Sequence, residues 1–207
     1  MEKLIVIYDK EINDKGRDSY IKAIKRQIPN AIIADVSKYG IIQDPYKVLF
    51  LKPLDGNTAR NAVGFLERHP RYDIEGVATG RLTITAEAII RVIGPVDKKT
   101  VVIINQSDVL GRPLAKELIE RGTNVISLNS SYPCIDNLLT MTDVDVLVSA
   151  SNNSDFTIDR FLTKDIKIKI DLSEDLDDPN KITRVPTIDV LKDRLENSNK
   201  WWEQNND

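Results

Sequence analysis

The chain has 207 residues, 41% of them hydrophobic, and its 29 basic and 32 acidic residues leave a net charge of −3. That length buries a real core in one large or two small domains. Well-mixed charges without a basic patch exclude the footprint of a nucleic-acid binder. The lone cysteine, Cys134, excludes an intrachain disulfide and a cysteine metal cluster, and the short apolar runs exclude a bilayer span.

In chain order, Leu4, Ile5, Val6 and Ile7 read as a strand. The run lacks the long apolar core and cleavage site of a signal peptide, so a soluble, cytoplasmic protein is expected. Asp18 or Ser19 is placed to cap a helix running to about Gln27, with Tyr20, Ala23, Ile24 and Ile28 near one face. Strands follow over residues 31–34 and 48–51, and helices over 58–68 and 85–93, the last stopped by Gly94 and Pro95. Residues 101–104, 125–128, 144–148 and 166–170 read as strand runs rich in β-branched residues, the first of them uninterrupted. Continuous rather than alternating apolarity marks strands covered on both faces, as in a parallel sheet. A helix over 112–121 separates the first two, with Pro113 in its first turn, Leu114, Ala115, Leu118 and Ile119 inward, and Gly122 as its stop. A final helix spans 187–202, with Trp201 and Trp202 either docked on a partner domain or in a frayed end. The order predicts an α/β protein of two domains with a cleft between them. Residues 1–90 form the first and residues 91–182 a Rossmann-like second with a mainly parallel sheet. Residues 183–207 form a helix packing back on the first.

Few residues carry chemistry on their own terms. The turn Asn105-Gln106-Ser107-Asp108-Val109-Leu110-Gly111 lies between strand and helix, where backbone amides and the helix dipole favour an anion. Gly111 would let a phosphate approach and Ser107 would bond it; a plain connection has the same look. The residues Tyr20, Lys22 and Lys25 permit an acid/base pair or a solvated basic face. His69 stands in a loop without an evident partner, and Cys134 follows Pro133 without a redox motif. Asp73 and Glu75 read as acids in an exposed turn before Gly76, and residues 173–180 as a solvated acidic loop; no metal site is expected.

Several segments, in this order and spacing, resemble the methylenetetrahydrofolate dehydrogenase/cyclohydrolase family, of which the chain reads as a divergent and shortened member. Val101 to Pro113 resembles the cofactor segment V-V-V-G-R-S-x-x-V-G-x-P, with Ser107, Val109, Gly111 and Pro113 kept. Asp145-Val146-Leu147-Val148-Ser149-Ala150 resembles D-I-L-V-x-A. Phe65 to Arg68 with Asp73-Ile74-Glu75-Gly76 resembles L-x-x-I-x-P-x-K-D-V-D-G, Gly80-Arg81-Leu82 the following G-R-L, and Pro53-Leu54 the end of V-Q-L-P-L. The resemblance implies a folate-type small molecule as ligand, NAD or NADP as cofactor and a homodimer, with no nucleic acid and no membrane. It nominates Tyr20, Lys25 and Glu75 as catalytic. It nominates Asn105, Gln106, Ser107, Val109, Gly111, Pro113, Asn129, Ser130, Ser149 and Ala150 as cofactor-binding.

The departures fall on the chemistry. In the family motif Y-x-x-x-K the lysine serves folate chemistry; Tyr20 matches, but Ile24 stands at the lysine. Lys25 is one residue on, roughly 100° round the helix. The glutamine of V-Q-L-P-L is Leu51, the second aspartate of D-V-D-G is Glu75, and P-C-T-P is reduced to Thr83-Ile84-Thr85-Ala86. The cofactor G-R-S is Asn105-Gln106-Ser107, and C-H-S-R/K is Leu128-Asn129-Ser130-Ser131, so NAD is preferred over NADP if either binds. The late P-V-P-G-G-V-G-P is represented only by Arg184-Val185-Pro186. A positioned acid or base contributes on the order of 100- to 10,000-fold, so cyclohydrolase activity is expected to be absent. Two readings follow: a folate dehydrogenase of one-carbon metabolism without that second activity, or a non-catalytic relative acting as a ligand-sensing or partner subunit.

Overall fold

The computed structural model describes residues 2–37 and 46–206. Its elements are β1 (Lys3–Tyr8), α1 (Lys15–Gln27), β2 (Ile32–Asp35), β3 (Tyr46–Phe50), α2 (Gly56–Arg68), a 3₁₀ turn (Pro70–Tyr72), α3 (Ile84–Ile93), β4 (Thr100–Ile104), α4 (Gly111–Glu120), β5 (Asn124–Leu128), α5 (Ile135–Met141), β6 (Val146–Ser149), α6 (Arg160–Thr163), β7 (Ile168–Asp171) and α7 (Thr187–Asn206). They form two compact units, residues 1–84 with 187–207, and residues 85–186. Among the described residues no helix is long and apolar enough to cross a membrane.

The first unit carries a parallel sheet in the order β2-β1-β3. Ile5, Ile7, Val48 and Ala34 gather with Leu66 of α2 in one core. Leu4, Val6 and Leu49, which alternate with them, are buried as well, so both faces are covered. From β1 the chain builds β2 on one side and β3 on the other. The strand order therefore reverses at the carboxyl ends of β1 and β3, the place where open α/β sheets take ligands. The helix α1 starts earlier than its apolar repeat suggests. Asp14, not Asp18 or Ser19, is the cap, and its carboxylate accepts the Arg17 amide at 2.6 Å. At the chain's end Trp201 is half-buried, with the Arg81 guanidinium 4.9 Å over its ring, so it is packed within this unit rather than frayed.

The second unit carries a four-stranded parallel sheet in the order β5-β4-β6-β7. Its reversal lies at the carboxyl ends of β4 and β6. Val102, Ile104 and Leu147 share a core with Ile135 and Leu139 of α5. That helix has only seven residues, too few for a periodicity to declare it. Leu114 and Leu118 of α4 are fully buried, whereas Ile119, expected inward, is 60% exposed. The acidic stretch 173–180 is not a solvated loop: Asp175 and Asp178 are buried. Asp178 pairs with Lys169 at 2.9 Å, both side chains being buried. These acids are spent on the fold, because buried carboxylates persist where they are paired and hydrogen-bonded.

Candidate functional site

In the first unit the loop after the 3₁₀ turn is built around Asp73. Its carboxylate accepts the amides of Gly76 (2.9 Å), Ala78 (2.7 Å) and Thr79 (3.2 Å). Gly76 has φ +98, and a side chain there would meet the Arg81 carbonyl oxygen at 2.4 Å, so only glycine fits. The pair Asp73 and Glu75 is thus not an exposed turn: the first is a buried scaffold and the second is carried on it. The Glu75 carboxylate accepts the amide of Ile84, the first residue of α3, at 3.1 Å, satisfying a helix-end donor.

A residue outside the family motifs completes this arrangement. Arg194 of α7 is fully buried and donates through Nη1 to the carbonyls of Ile74 and Glu75, both at 2.9 Å. Through Nη2 it donates to the carbonyl of Leu82. A single guanidinium thereby pins both limbs of the loop that presents Glu75. Its one signal in the sequence is that, unlike its charged neighbours Lys192 and Asp193, it falls at the helical spacing of the apolar repeat of Val190, Leu191 and Leu195. Tyr20 of α1 belongs to the same group. Burial first, and then the Glu75 charge, raise its phenol well above the usual range, against the opposing effects of a hydrogen bond with Thr187 and the charge of Arg194. Lys25 is exposed on the other side of α1, whereas Ile24 is fully buried, so neither position brings a lysine to Tyr20.

Burial pushes the Glu75 carboxyl up to about 7, against the pull of Arg194 and the Ile84 amide. A carboxyl poised there exchanges its proton at neutral pH. The unfolded chain releases this proton near 4.5 while the folded chain holds it to about 7. Stability from this group therefore falls as pH rises through that window, by about 3 kcal/mol. Glu75→Gln keeps an acceptor for Ile84 and abolishes the titration. Urea denaturation at pH 5 and pH 8 is expected to show a smaller loss across that range in the variant than in the parent. Equal losses would mean that Glu75 is ionised throughout.

In the second unit the nominated residues do meet, at the reversal of strand order. Asn105 follows β4 and Ala150 follows β6; Asn105 Nδ2 donates to the Ala150 carbonyl at 2.7 Å. Asn105 Oδ1 accepts the Ser107 amide (2.9 Å), the Ser107 hydroxyl (2.8 Å) and the Gly111 amide (2.9 Å). The Leu110 and Arg112 amides donate to the Ser107 carbonyl, and Pro113 has none. The expectation that Gly111 leaves room for a phosphate is corrected. Its φ is not left-handed, and a side chain would lie 1.8 Å from the Asn105 carbonyl oxygen. The glycine accommodates the chain's own backbone.

The other nominated positions are scattered in role. Gln106 Nε2 donates to the Ser127 carbonyl at 3.1 Å, and Val109 is half-buried. Asn129 accepts the Ser131 amide at 3.2 Å, and Ser130 is half-buried beside it. Ser149 is fully buried and donates to Asp175 at 2.6 Å. Asp175, which no motif points to, also holds the Ser151 amide (2.9 Å) and hydroxyl (2.6 Å), fixing the end of β6 on either side of Ala150. Among the described residues no cluster of three or more metal-ligating side chains forms.

Comparison with known proteins bears on these sites. No family model matches the chain. It is 25% identical over 181 residues to the bifunctional protein FolD of Streptococcus thermophilus, a match covering 79% of this chain and 62% of that relative. The chain thus spans less than two thirds of the length of that curated relative. The structure resembles methylenetetrahydrofolate dehydrogenase-cyclohydrolase of Trypanosoma brucei, solved with NADP and an inhibitor, at a TM-score of 0.71 and 18% identity, covering 98% of this chain and 87% of that one. It resembles the NAD-dependent methylenetetrahydrofolate dehydrogenase of Saccharomyces cerevisiae at 0.70 and 16%, covering 99% and 89%. Likeness in sequence and a shared α/β fold agree: the chain is similar to proteins of the methylenetetrahydrofolate dehydrogenase/cyclohydrolase type.

Proposed function

We propose that this chain binds a reduced folate through its first unit and lacks cyclohydrolase activity. The observation that carries the reading is the group of Tyr20, Glu75 and Arg194 at the folate-type motif, with Arg194 holding the loop that presents Glu75 and burial raising that carboxyl. A carboxyl group with that poise matches the adjacent N–H donors of a pterin edge, accepting from them when ionised. Thr83 supports a polar ligand in the same loop: its hydroxyl is buried without a hydrogen-bond partner, one residue before the amide that Glu75 accepts.

The nicotinamide dinucleotide that the resemblance implies would place its pyrophosphate at the amides of the α4 turn. The turn as folded does not fit it, since the Leu110, Gly111 and Arg112 amides all donate within the chain. The buried Ile24 and this closed turn together favour the second reading, a relative that keeps ligand binding without turnover.

Calorimetry with tetrahydrofolate tests the proposal, and saturable binding weakened by Glu75→Gln is the expected result. The absence of binding would sink it. Conversion of methenyltetrahydrofolate is expected to run at the uncatalysed rate. Ile24→Lys should not rescue it, because the new ammonium would enter the core at a position with no exposure. That variant should instead lose about 2 kcal/mol or more on denaturation. A clear rate enhancement in the parent would show that another lysine has taken the role.

A further inference from the structure

We propose that Asn105 is a built-in plug of the dinucleotide crevice in the second unit. The crevice of a doubly wound sheet lies between the carboxyl ends of the strands where the order reverses, here β4 and β6. The Asn105 carboxamide lies across that gap, tied to the Ala150 carbonyl on the far side. Its oxygen takes the Ser107 amide, the Ser107 hydroxyl and the Gly111 amide, which are donors an anion would otherwise collect. It therefore stands in for a phosphate oxygen, uncharged and covalently attached, so it competes at high local concentration. The residue at this position corresponds to the glycine of the family's G-R-S, which has no side chain to fill the gap. The polar side chains of the turn are engaged within the chain: Arg112 pairs with Asp108 at 2.7 Å, and Gln106 is bound to Ser127. Asp175, clamping Ser149 and Ser151, keeps the Ala150 carbonyl in place as the plug's anchor.

The test uses the full chain with NAD as probe. Asn105→Gly removes the carboxamide and frees its three donors, and NAD is expected to bind at least about tenfold more tightly than to the parent. The Ser107 and Gly111 amide resonances should move on titration of the variant and stay in place in the parent. Asn105→Ser, which is too short to reach Ala150 but keeps a polar group, gives a second opening should the glycine variant fail to fold, with a smaller gain. Binding to the parent as tight as to either variant would overturn the proposal, as would NAD-dependent shifts of Ser107 and Gly111 in the parent. Because the probe reads the second unit alone, a failure here leaves the tetrahydrofolate titration of the first unit unaffected.

Discussion

Gly111→Val is expected to unfold the second unit rather than to leave an intact fold with a blocked turn. The added Cβ would lie 1.8 Å from the Asn105 carbonyl oxygen and 2.4 Å from its carbon. Both are backbone atoms, and they follow directly on β4, whose residues Val101–Ile104 pair with β5 on one side and β6 on the other. The clash cannot be relieved by a side-chain rotation; it requires moving α4 or pulling the end of β4 out of register. Overpacking a core commonly costs about 1–3 kcal/mol, and a backbone overlap of this depth belongs above that range, at about 4 kcal/mol or more. Against a total stability of about 5–15 kcal/mol, that removes much of the margin. Gly111→Ala carries the same Cβ and should fall nearly as far. Gly64→Ala is the control, because it lies inside α2 and its Cβ would meet nothing nearer than Arg68 Nη1 at 3.6 Å. There the change should stabilise by about 0.5–1 kcal/mol. Denaturant midpoints of the three variants decide it. A Gly111→Ala protein as stable as the parent would show that the turn can relax, and would restore the reading of Gly111 as room for a phosphate.

What is legible in the sequence, and what is not, follows from range. The apolar runs at residues 4–7 and 101–104 declare strands by themselves, since covering both faces of a strand leaves little room for a polar residue; β7, with Lys169 inside it, is the exception, and that ammonium is paired with Asp178. Parallel pairing is therefore implied by the runs alone. Gly76 is legible through its motif. Gly111 is legible as a necessary glycine, but the sequence does not say whether the atom that needs the space belongs to a ligand or to Asn105. The carboxylates of Asp171, Asp175 and Asp178 carry no such signal, because in sequence a buried acid is indistinguishable from a solvated one until its donors are in place. Asp171 shows the case: it takes the amides of Ser173, Asp175 and Leu176 and the ammonium of Lys181, all supplied by the chain that follows it. Arg194 is hidden for a related reason, its carbonyl partners lying more than a hundred residues earlier in the chain. Asn105 is legible as a departure from a glycine; that its side chain folds back into the turn is a matter of geometry.

Arg194→Met is expected to be the most damaging single change in the first unit. The methionine fills much of the volume but leaves the carbonyls of Ile74, Glu75 and Leu82 without their donor. A buried acceptor stripped of its partner costs about 1–3 kcal/mol, and water entering beside α7 recovers part of that, so a loss of about 3–5 kcal/mol is expected. The change also acts on chemistry. Burial raises Glu75, and Arg194 is the first influence opposing it, so without the guanidinium the carboxyl holds its proton to higher pH still. The pH at which tetrahydrofolate binding changes should therefore move upward in Arg194→Met. Arg194→Lys separates the two roles. An ammonium keeps the charge near Glu75 but cannot span carbonyls on both limbs of the loop. Most of the stability should be lost while the pH midpoint stays close to that of the parent. A double-mutant cycle with Glu75→Gln completes the argument, because coupling between the two positions appears only if the charges interact in the folded state. If Arg194→Met lowers stability but leaves the pH midpoint in place, Arg194 is a structural pin of the loop and has no part in setting the proton affinity of Glu75.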